Sequence, residues 1–265
     1  MESRFGAKTD VGLKRGHNED SFCTAPELGL YLVCDGMGGR NAGEVASRLA
    51  VEVIQQHIRD ARQNASLPMI GPMDASFSPQ TNRLASALRL ANQVVHGAAQ
   101  SQSEQAGMGT TVVAALITGQ LLSVAHIGDS RLYLIRGGGI QPLTEDHSLV
   151  AEQVRRGLLT EEEAERSPQK NIVTRALGVE ETVEVALDEL PLGVHDVLLL
   201  CSDGLTRGVK PDEILQEVRN GATPQAAAER LVALANAAGG EDNTTVVLIA
   251  LRESGLRGLW HRVWG

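Results

Sequence analysis

Short apolar runs recur along the chain, each closed by glycine or by small polar residues. They lie at 5–9, 21–24, 30–34, 111–117, 121–127, 131–136, 183–187, 197–201 and 245–251. Runs of this length, rich in Val, Leu and Ile and punctuated by turn formers, predict β-strands. Gly119–Gln120 and Gly137–Gly139 each fall between two such runs and predict hairpin turns, so the strands they join are antiparallel. Elsewhere the period changes to that of a helix. From Ala42 to about Ala61, Val45, Leu49, Val53 and Ile58 fall on one stripe with Ala46, Ala50 and Ile54, and Asn41 is placed to cap it. A second helix is expected over 82–100, with Leu84, Leu88, Ala91 and Val95 on one face. Further helices are expected at 148–156, 211–220 and 224–238, the last two opening on Pro211 and Pro224, where a first-turn proline is tolerated.

Two stretches lack a period. Residues 64–81 carry Pro68, Pro72 and Pro79 and read as a surface loop between helices. Residues 157–171, with EEEAER inside them, read as a charged, exposed excursion. There is no internal repeat and no linker that splits the chain. Mixed strands and helices over 1–251 predict one α+β domain, with 252–265 as a C-terminal tail.

Composition narrows the function. Aromatic residues are only 3%, so the core must be aliphatic and alanine-rich. A net charge of −9 with no basic run argues against nucleic acid as a partner. Three cysteines, Cys23, Cys34 and Cys201, form no CxxC pair and no even set, so a disulfide framework is not expected and a cytoplasmic chain is. The N-terminal MESRFGAKTD has no apolar core of a signal peptide, and no stretch reaches bilayer-spanning length. The tail GLRGLWHRVWG places Trp260 and Trp264 one helical turn apart beside Arg257 and Arg262; packing on the domain is the plainer expectation and membrane association is not expected.

The chemistry concentrates where apolar runs stop. Asp35 follows YLVC, Asp129 follows VAHIG, Asp203 follows VLLLCS and Asp242 precedes TTVVL, most of them abutting glycine. Glu19 and Asp20 precede a further run. A single strand-end aspartate is an ordinary turn former. Several at the rims of strong strands form a set of like charges that needs cations, and hard divalent ions such as Mg²⁺ or Mn²⁺ prefer carboxylate, carbonyl and water oxygens. Gly36 lets a backbone carbonyl approach such an ion. Arg15, four residues before Glu19, supplies a planar fork suited to phosphate or to a neighbouring acid.

The stretch VCDGMGGR, 33–40, also admits other readings. Cys34 and Arg40 have the spacing of a cysteine-phosphatase loop, in which a thiolate attacks phosphorus. Met37 stands where that loop needs glycine, Val33 where it needs histidine, and Asp35 would repel both thiolate and phosphate. Gly36, Gly38 and Gly43 suggest a dinucleotide loop, but the third glycine is out of register. A non-catalytic phosphoprotein adaptor would be favoured by a missing acid, and none is missing. The seven histidines, His126 and His147 among them, show no ligand spacing and read as structural.

In order along the chain, VGLKRGHNEDSF, YLVCDGMGG, GMGTTVVAALI, AHIGDSRLYL, LTEDHS, NIVTRALG, LLLCSDGLT and GGEDNTTVVL resemble the motifs of the bacterial branch of the metal-dependent type 2C protein serine/threonine phosphatases. The resemblance runs from Val11 to Leu248. It implies an α-β-β-α sandwich of two central antiparallel β-sheets flanked by helices, with the metal centre in a cleft at one end. It implies phosphoserine and phosphothreonine hydrolysis by a water activated between two Mn²⁺ or Mg²⁺ ions, with a weaker third ion.

By the same resemblance Asp35 bridges the two ions, Gly36 lends its carbonyl, and Asp203 and Asp242 complete the first ion's ligands. Glu19 contacts the second ion, Asp129 helps hold the third, Arg15 binds the substrate phosphate and Asp20 orients Arg15 or a nearby water. Asn243 and Thr110 support the site. Two positions matter: Met37, as in many bacterial members, stands where many eukaryotic members have a histidine proposed as the acid for the leaving group, and Arg207 stands where an acidic residue often supports the third ion. Residues 149–170 correspond to a flap. The implied partners are phosphoproteins and a cognate Hanks-type kinase, and the chain is expected to be a monomer.

Overall fold

The computed structural model describes residues 1–39, 42–101 and 105–253. The expected capping residue Asn41, Arg40 and all of the tail beyond Glu253 lie outside the described residues. Two antiparallel sheets form the centre. The first orders its strands β1 (Glu2–Asp10), β11 (Thr244–Arg252), β10 (Val197–Cys201), β7 (Arg131–Arg136) and β8 (Gly139–Pro142). The second orders β2 (Asp20–Ala25), β3 (Leu30–Met37), β5 (Val112–Thr118), β6 (Leu121–Ile127) and β9 (Ala186–Pro191), with the short β4 (Gly109–Thr110) paired to the end of β3. The hairpins at 119–120 and 137–138 close as their glycines predict, with Thr118 opposite Leu121 and Arg136 opposite Gly139.

Period-two alternation builds three apolar layers. On β10, Leu198 and Leu200 face the other sheet while Val197, Leu199 and Cys201 face helices. On β3, Tyr31 and Val33 face the other sheet while Leu30, Leu32 and Cys34 face helices. The inter-sheet layer is completed by Val113, Val124, Leu132, Leu134, Val247 and Ile249. One outer layer is formed by α1 (Ala42–Gln63) and α2 (Pro79–Ser101), the other by α6 (Pro211–Asn220) and α7 (Pro224–Ala237). The result is the expected sandwich, helices outside and sheets inside.

The helices differ from the reading in detail. On α1 the fully buried line is Ala46, Ala50 and Ile54, with Val45, Leu49 and Val53 only partly covered. Ile58 is buried with that line, and Val45, Leu49 and Val53 lie on its flanks. On α2, Leu84, Leu88, Ala91 and Val95 are all buried, as their spacing requires.

The strand expected at 183–187 is displaced to Ala186–Pro191. Its ladder is dictated by β6, which pairs His126 with Ala186 and Leu121 with Pro191. Val183 and Val185 pack against the helical layer without joining the ladder. The excursion after α3 (Leu149–Arg155) is also more ordered than expected. Within it, α4 (Glu161–Arg166) is started by a capping box, Thr160 and Glu163 each accepting from the other's backbone N–H. Both feet of 149–170 are pinned: Ser148 bridges to Val173, and the Thr174 N–H donates to the His147 carbonyl at 2.8 Å.

Candidate active site

The same alternation that builds the inter-sheet layer delivers the acids. Asp35 continues the Tyr31–Val33 face of β3 and so emerges where that layer runs out of apolar side chains. Asp20 lies directly opposite Asp35 in the β2–β3 ladder. Ser202, just past β10, and Thr245, on β11, share the parity of the inward-facing Leu200 and Val247. Their hydroxyls donate to Asp20 Oδ2 at 2.8 and 2.7 Å. Asp203 opens the one-turn helix α5 (Asp203–Thr206), and Asp242 sits in the turn that enters β11.

Asp35 is fixed through its backbone. Its N–H donates to Thr111 Oγ1 at 3.0 Å, and its carbonyl accepts from the Thr111 N–H at 2.8 Å and from Thr110 Oγ1 at 2.9 Å. Thr111 Oγ1 also lies 2.7 Å from Ser130 Oγ, which ties the Asp129 loop to Asp35. Gly36 is required by space: a Cβ there would stand 2.1 Å from the Gly43 carbonyl oxygen. Asn243 holds the N-terminal loop that carries Arg15 and Glu19. Its side chain accepts from the Glu19 N–H at 2.8 Å and donates to the carbonyls of Val11 and His17 at 2.9 Å each.

The electrostatics are those of a crowded carboxylate set. Burial pushes Asp35 well above the ordinary carboxylate range, and Asp20, Asp203, Asp129 and Asp242 push in the same direction. Burial likewise raises Asp20 and Asp129, each to about 7, and raises Asp203 and Glu19. Asp203 Oδ1 and Asp20 Oδ1 are buried without a hydrogen-bond partner. Unpartnered buried oxygens beside mutually repelling carboxyls are the donor chemistry a hard divalent cation satisfies, so the residues fit the expected ions in kind.

Two of them, Asp203 and Asp242, are held by arginines. Among the described residues no group of three Asp, Glu, His or Cys side chains stands at metal-holding distances. Arg15 instead grips Asp242 with two nitrogens, Nε to Oδ1 at 2.8 Å and Nη2 to Oδ2 at 2.9 Å. Arg207 donates from Nε to Asp203 Oδ2 at 2.9 Å and reaches Asp242 Oδ2 with Nη1 at 3.2 Å.

Most of the expected residues therefore meet at one end of the sandwich, and one detail changes while the readings of Cys34 and of the histidines hold. The carboxylate that orients Arg15 is Asp242; the hydrogen bonds of Asp20 go to Ser202 and Thr245 instead. Cys34 is on the helix-facing side of β3, fully buried, and its thiol is pushed well above its ordinary value by burial and then by Asp20 and Asp35. A thiolate nucleophile is excluded there. His126 and His147 stack on each other, with ring centroids 4.7 Å apart, and bond to carbonyl and amide groups of the backbone. The residues not found from sequence are Thr111, Ser202, Thr245, Gly43 and Arg207 in its paired role. Ser202 and Thr245 lie within the CSDGL and GGEDNTT segments, but only strand parity shows that their hydroxyls converge on Asp20.

Residues 15–241 match the family model for protein phosphatase 2C. The chain is 38% identical over 252 residues to the serine/threonine phosphatase stp of Listeria innocua, covering 94% of this chain and 95% of that protein. Its structure is similar to that of the Mycobacterium tuberculosis serine/threonine phosphatase PstP/Ppp, with a TM-score of 0.83 at 35% identity over 95% of this chain and 99% of the other. A second solved structure, the catalytic domain of the serine/threonine protein phosphatase PstP in complex with two manganese ions, gives 0.80 at 34% identity, covering 95% and 99%. The sandwich, the carboxylates at its open end and these likenesses agree: the chain belongs to the protein phosphatase 2C family.

Proposed function

We propose that this chain is a metal-dependent protein phosphatase that hydrolyses phosphoserine and phosphothreonine, with Asp35, Asp203 and Asp242 and the Gly36 carbonyl as the principal cation ligands. The observation that carries the reading is the convergence of Asp35, Asp203 and Asp242 with Arg15 at the end of the inter-sheet layer. Mn²⁺ or Mg²⁺, when bound, supplies an activated water and neutralises charge on the phosphoryl group. Glu19 would serve a second ion, and Asp129 would help to hold a third, more weakly bound one.

The chain's own groups do the rest. Arg15 binds the substrate phosphate; the two-nitrogen grip of Asp242 raises its affinity for its proton, so it stays cationic, and sets the plane of its fork while its side chain remains 53% exposed. Thr110 and Thr111 hold Asp35 against rotation, and Asn243 holds the loop that carries Arg15. Met37 has no proton to give, so the departing alkoxide takes its proton from water in the site.

Residues 1–251 form the catalytic domain, and 149–170, pinned at both feet, act as a flap over substrate. The substrates are phosphoproteins made by a cognate Hanks-type kinase, and the protein works as a cytoplasmic monomer. No helix among the described residues is long and apolar enough to cross a membrane.

Hydrolysis of a phosphopeptide panel tests this. Phosphoserine and phosphothreonine peptides should be cleaved with Mn²⁺ and left intact in EDTA, with phosphotyrosine peptides poor substrates. Undiminished turnover in EDTA would remove the metal from the mechanism.

A further inference from the structure

Arg207 sits four residues after Asp203, at the end of α5, in a position where the resemblance leads one to expect an acid. An (i, i+4) arginine–carboxylate pair on an exposed helix is commonplace and weak. This pair differs in three respects. Its helix is a single turn, so the pair is not a helix-stabilising rung. The Arg207 side chain is only 25% exposed, and its partners Asp203 and Asp242 only 15% and 12%. The same guanidinium joins two segments distant in sequence, with Nε and Nη2 on Asp203 and Nη1 on Asp242. Its charge is also felt by Asp35 and Asp129. A fixed cation is thus set among four carboxylates that repel one another.

We infer that Arg207 is a resident counter-ion of the carboxylate cluster, which holds Asp203 and Asp242 in the metal-free protein and competes with divalent cations for them. The inference rests on the proposed assignment of those aspartates as cation ligands. A guanidinium hydrogen-bonded to a carboxylate oxygen takes up a lone pair that the ion would use, and its positive charge opposes a second cation nearby. Binding of the ion must therefore displace at least part of the Arg207 grip, and the measured affinity is lowered by that competition. Arg15 occupies Asp242 as well, with two nitrogens on its two oxygens, but it makes no hydrogen bond to Asp203 and is more exposed, so Arg207 is the cation that bonds to both aspartates.

The test uses the full chain, stripped by chelation, with Mn²⁺ as the titrant. Calorimetry and thermal melting are compared for wild type, Arg207→Gln, Arg207→Lys and Asp203→Asn. Arg207→Gln retains an uncharged hydrogen-bonding stem, which favours folding. It should bind Mn²⁺ more tightly than wild type, by a factor in the range typical of coupled sites, about 5- to 150-fold. It should also melt at lower temperature in EDTA, so that the Mn²⁺-induced rise in Tm widens. Arg207→Lys, a point charge without the fork, should fall between the two.

Unchanged or weaker Mn²⁺ binding by folded Arg207→Gln would overturn the inference, as would an unchanged melt in EDTA. The parent reading is tested separately by Asp203→Asn. Wild-type Mn²⁺ binding that survives this substitution intact would refute the ligand assignment, and the inference with it. Lost binding in Asp203→Asn together with no gain in Arg207→Gln would sink the counter-ion role alone.

Discussion

Asp20 and Asp35 are directly opposed in the antiparallel β2–β3 ladder, two carboxyls on one buried face with no arginine bonded to either among the described contacts. Like charges placed opposite each other destabilise a sheet. The pair is tolerated because Asp20 is held by the hydroxyls of Ser202 and Thr245 and because burial shifts both carboxyls towards the protonated form. Two strands thereby store an electrostatic demand at the one end of the sandwich where solvent and ions can meet it.

The first prediction separates Asp35 from its neighbour Cys34. Asp35→Asn should cut hydrolysis of a phosphothreonine peptide by at least about a hundredfold, the scale at which a single preorganised electrostatic group acts. Cys34→Ala should retain most of the activity, because the thiol lies on the helix side of the sheet, and should lose about 1 kcal/mol of stability to a small cavity. Parallel assays and denaturant melts read both. An inactive but folded Cys34→Ala protein would reverse the assignment.

A second prediction concerns Asn243. Its amide makes three hydrogen bonds, to Glu19, Val11 and His17, and thereby staples the loop that carries Arg15. Asn243→Ala should cost about 2–3 kcal/mol, since it leaves partly buried backbone groups unpaired. KM for a phosphopeptide should rise as Arg15 loses its fixed position. Urea denaturation measures the first effect and steady-state kinetics the second; a stability loss with KM unmoved would show that the loop does not position Arg15.

The third is a pH dependence. His147 is buried, stacked on His126 and approached by Arg175, and its pKa is pushed down to about 3, chiefly by burial and then by these two neighbours. Its Nδ1 accepts from the Gly128 N–H at 3.1 Å, which requires the neutral ring. An unfolded histidine takes up a proton near pH 6.5, and the folded one does not until about 3. Between those values the unfolded state binds more protons, so stability falls as pH falls, by up to roughly 1.4 kcal/mol per pH unit from this one group. The acidic site residues shift the opposite way, so the informative quantity is a difference. His147→Asn keeps an acceptor for Gly128 and removes the titration. The wild-type minus variant stability should therefore decline from pH 6.5 downwards, and a difference that stays flat with pH would show that His147 is not held neutral.

Much of this molecule was legible in the chain. Strands at 121–127, 131–136 and 197–201 and the helix at 211–220 stand at the residues their patterns mark, because an apolar run closed by glycine or proline leaves few alternatives. The acid-bearing motifs likewise mark Asp35, Asp129, Asp203 and Asp242, which the fold brings within electrostatic reach of one another. What the sequence did not determine depends on contacts between distant segments. The register of β9 is set by β6, not by the valines that precede it. Asp20 finds its partners on β11 and just past β10 because strand parity turns Thr245 and Ser202 inward together. Cys34 and Asp35 are adjacent in sequence and point to opposite faces of one sheet, so a single step along a strand separates a buried thiol from the acid at the site. The partners of Arg15 and Arg207 were also beyond local pattern: Asp242 lies 227 residues from Arg15, and only the closed sandwich brings both arginines onto it.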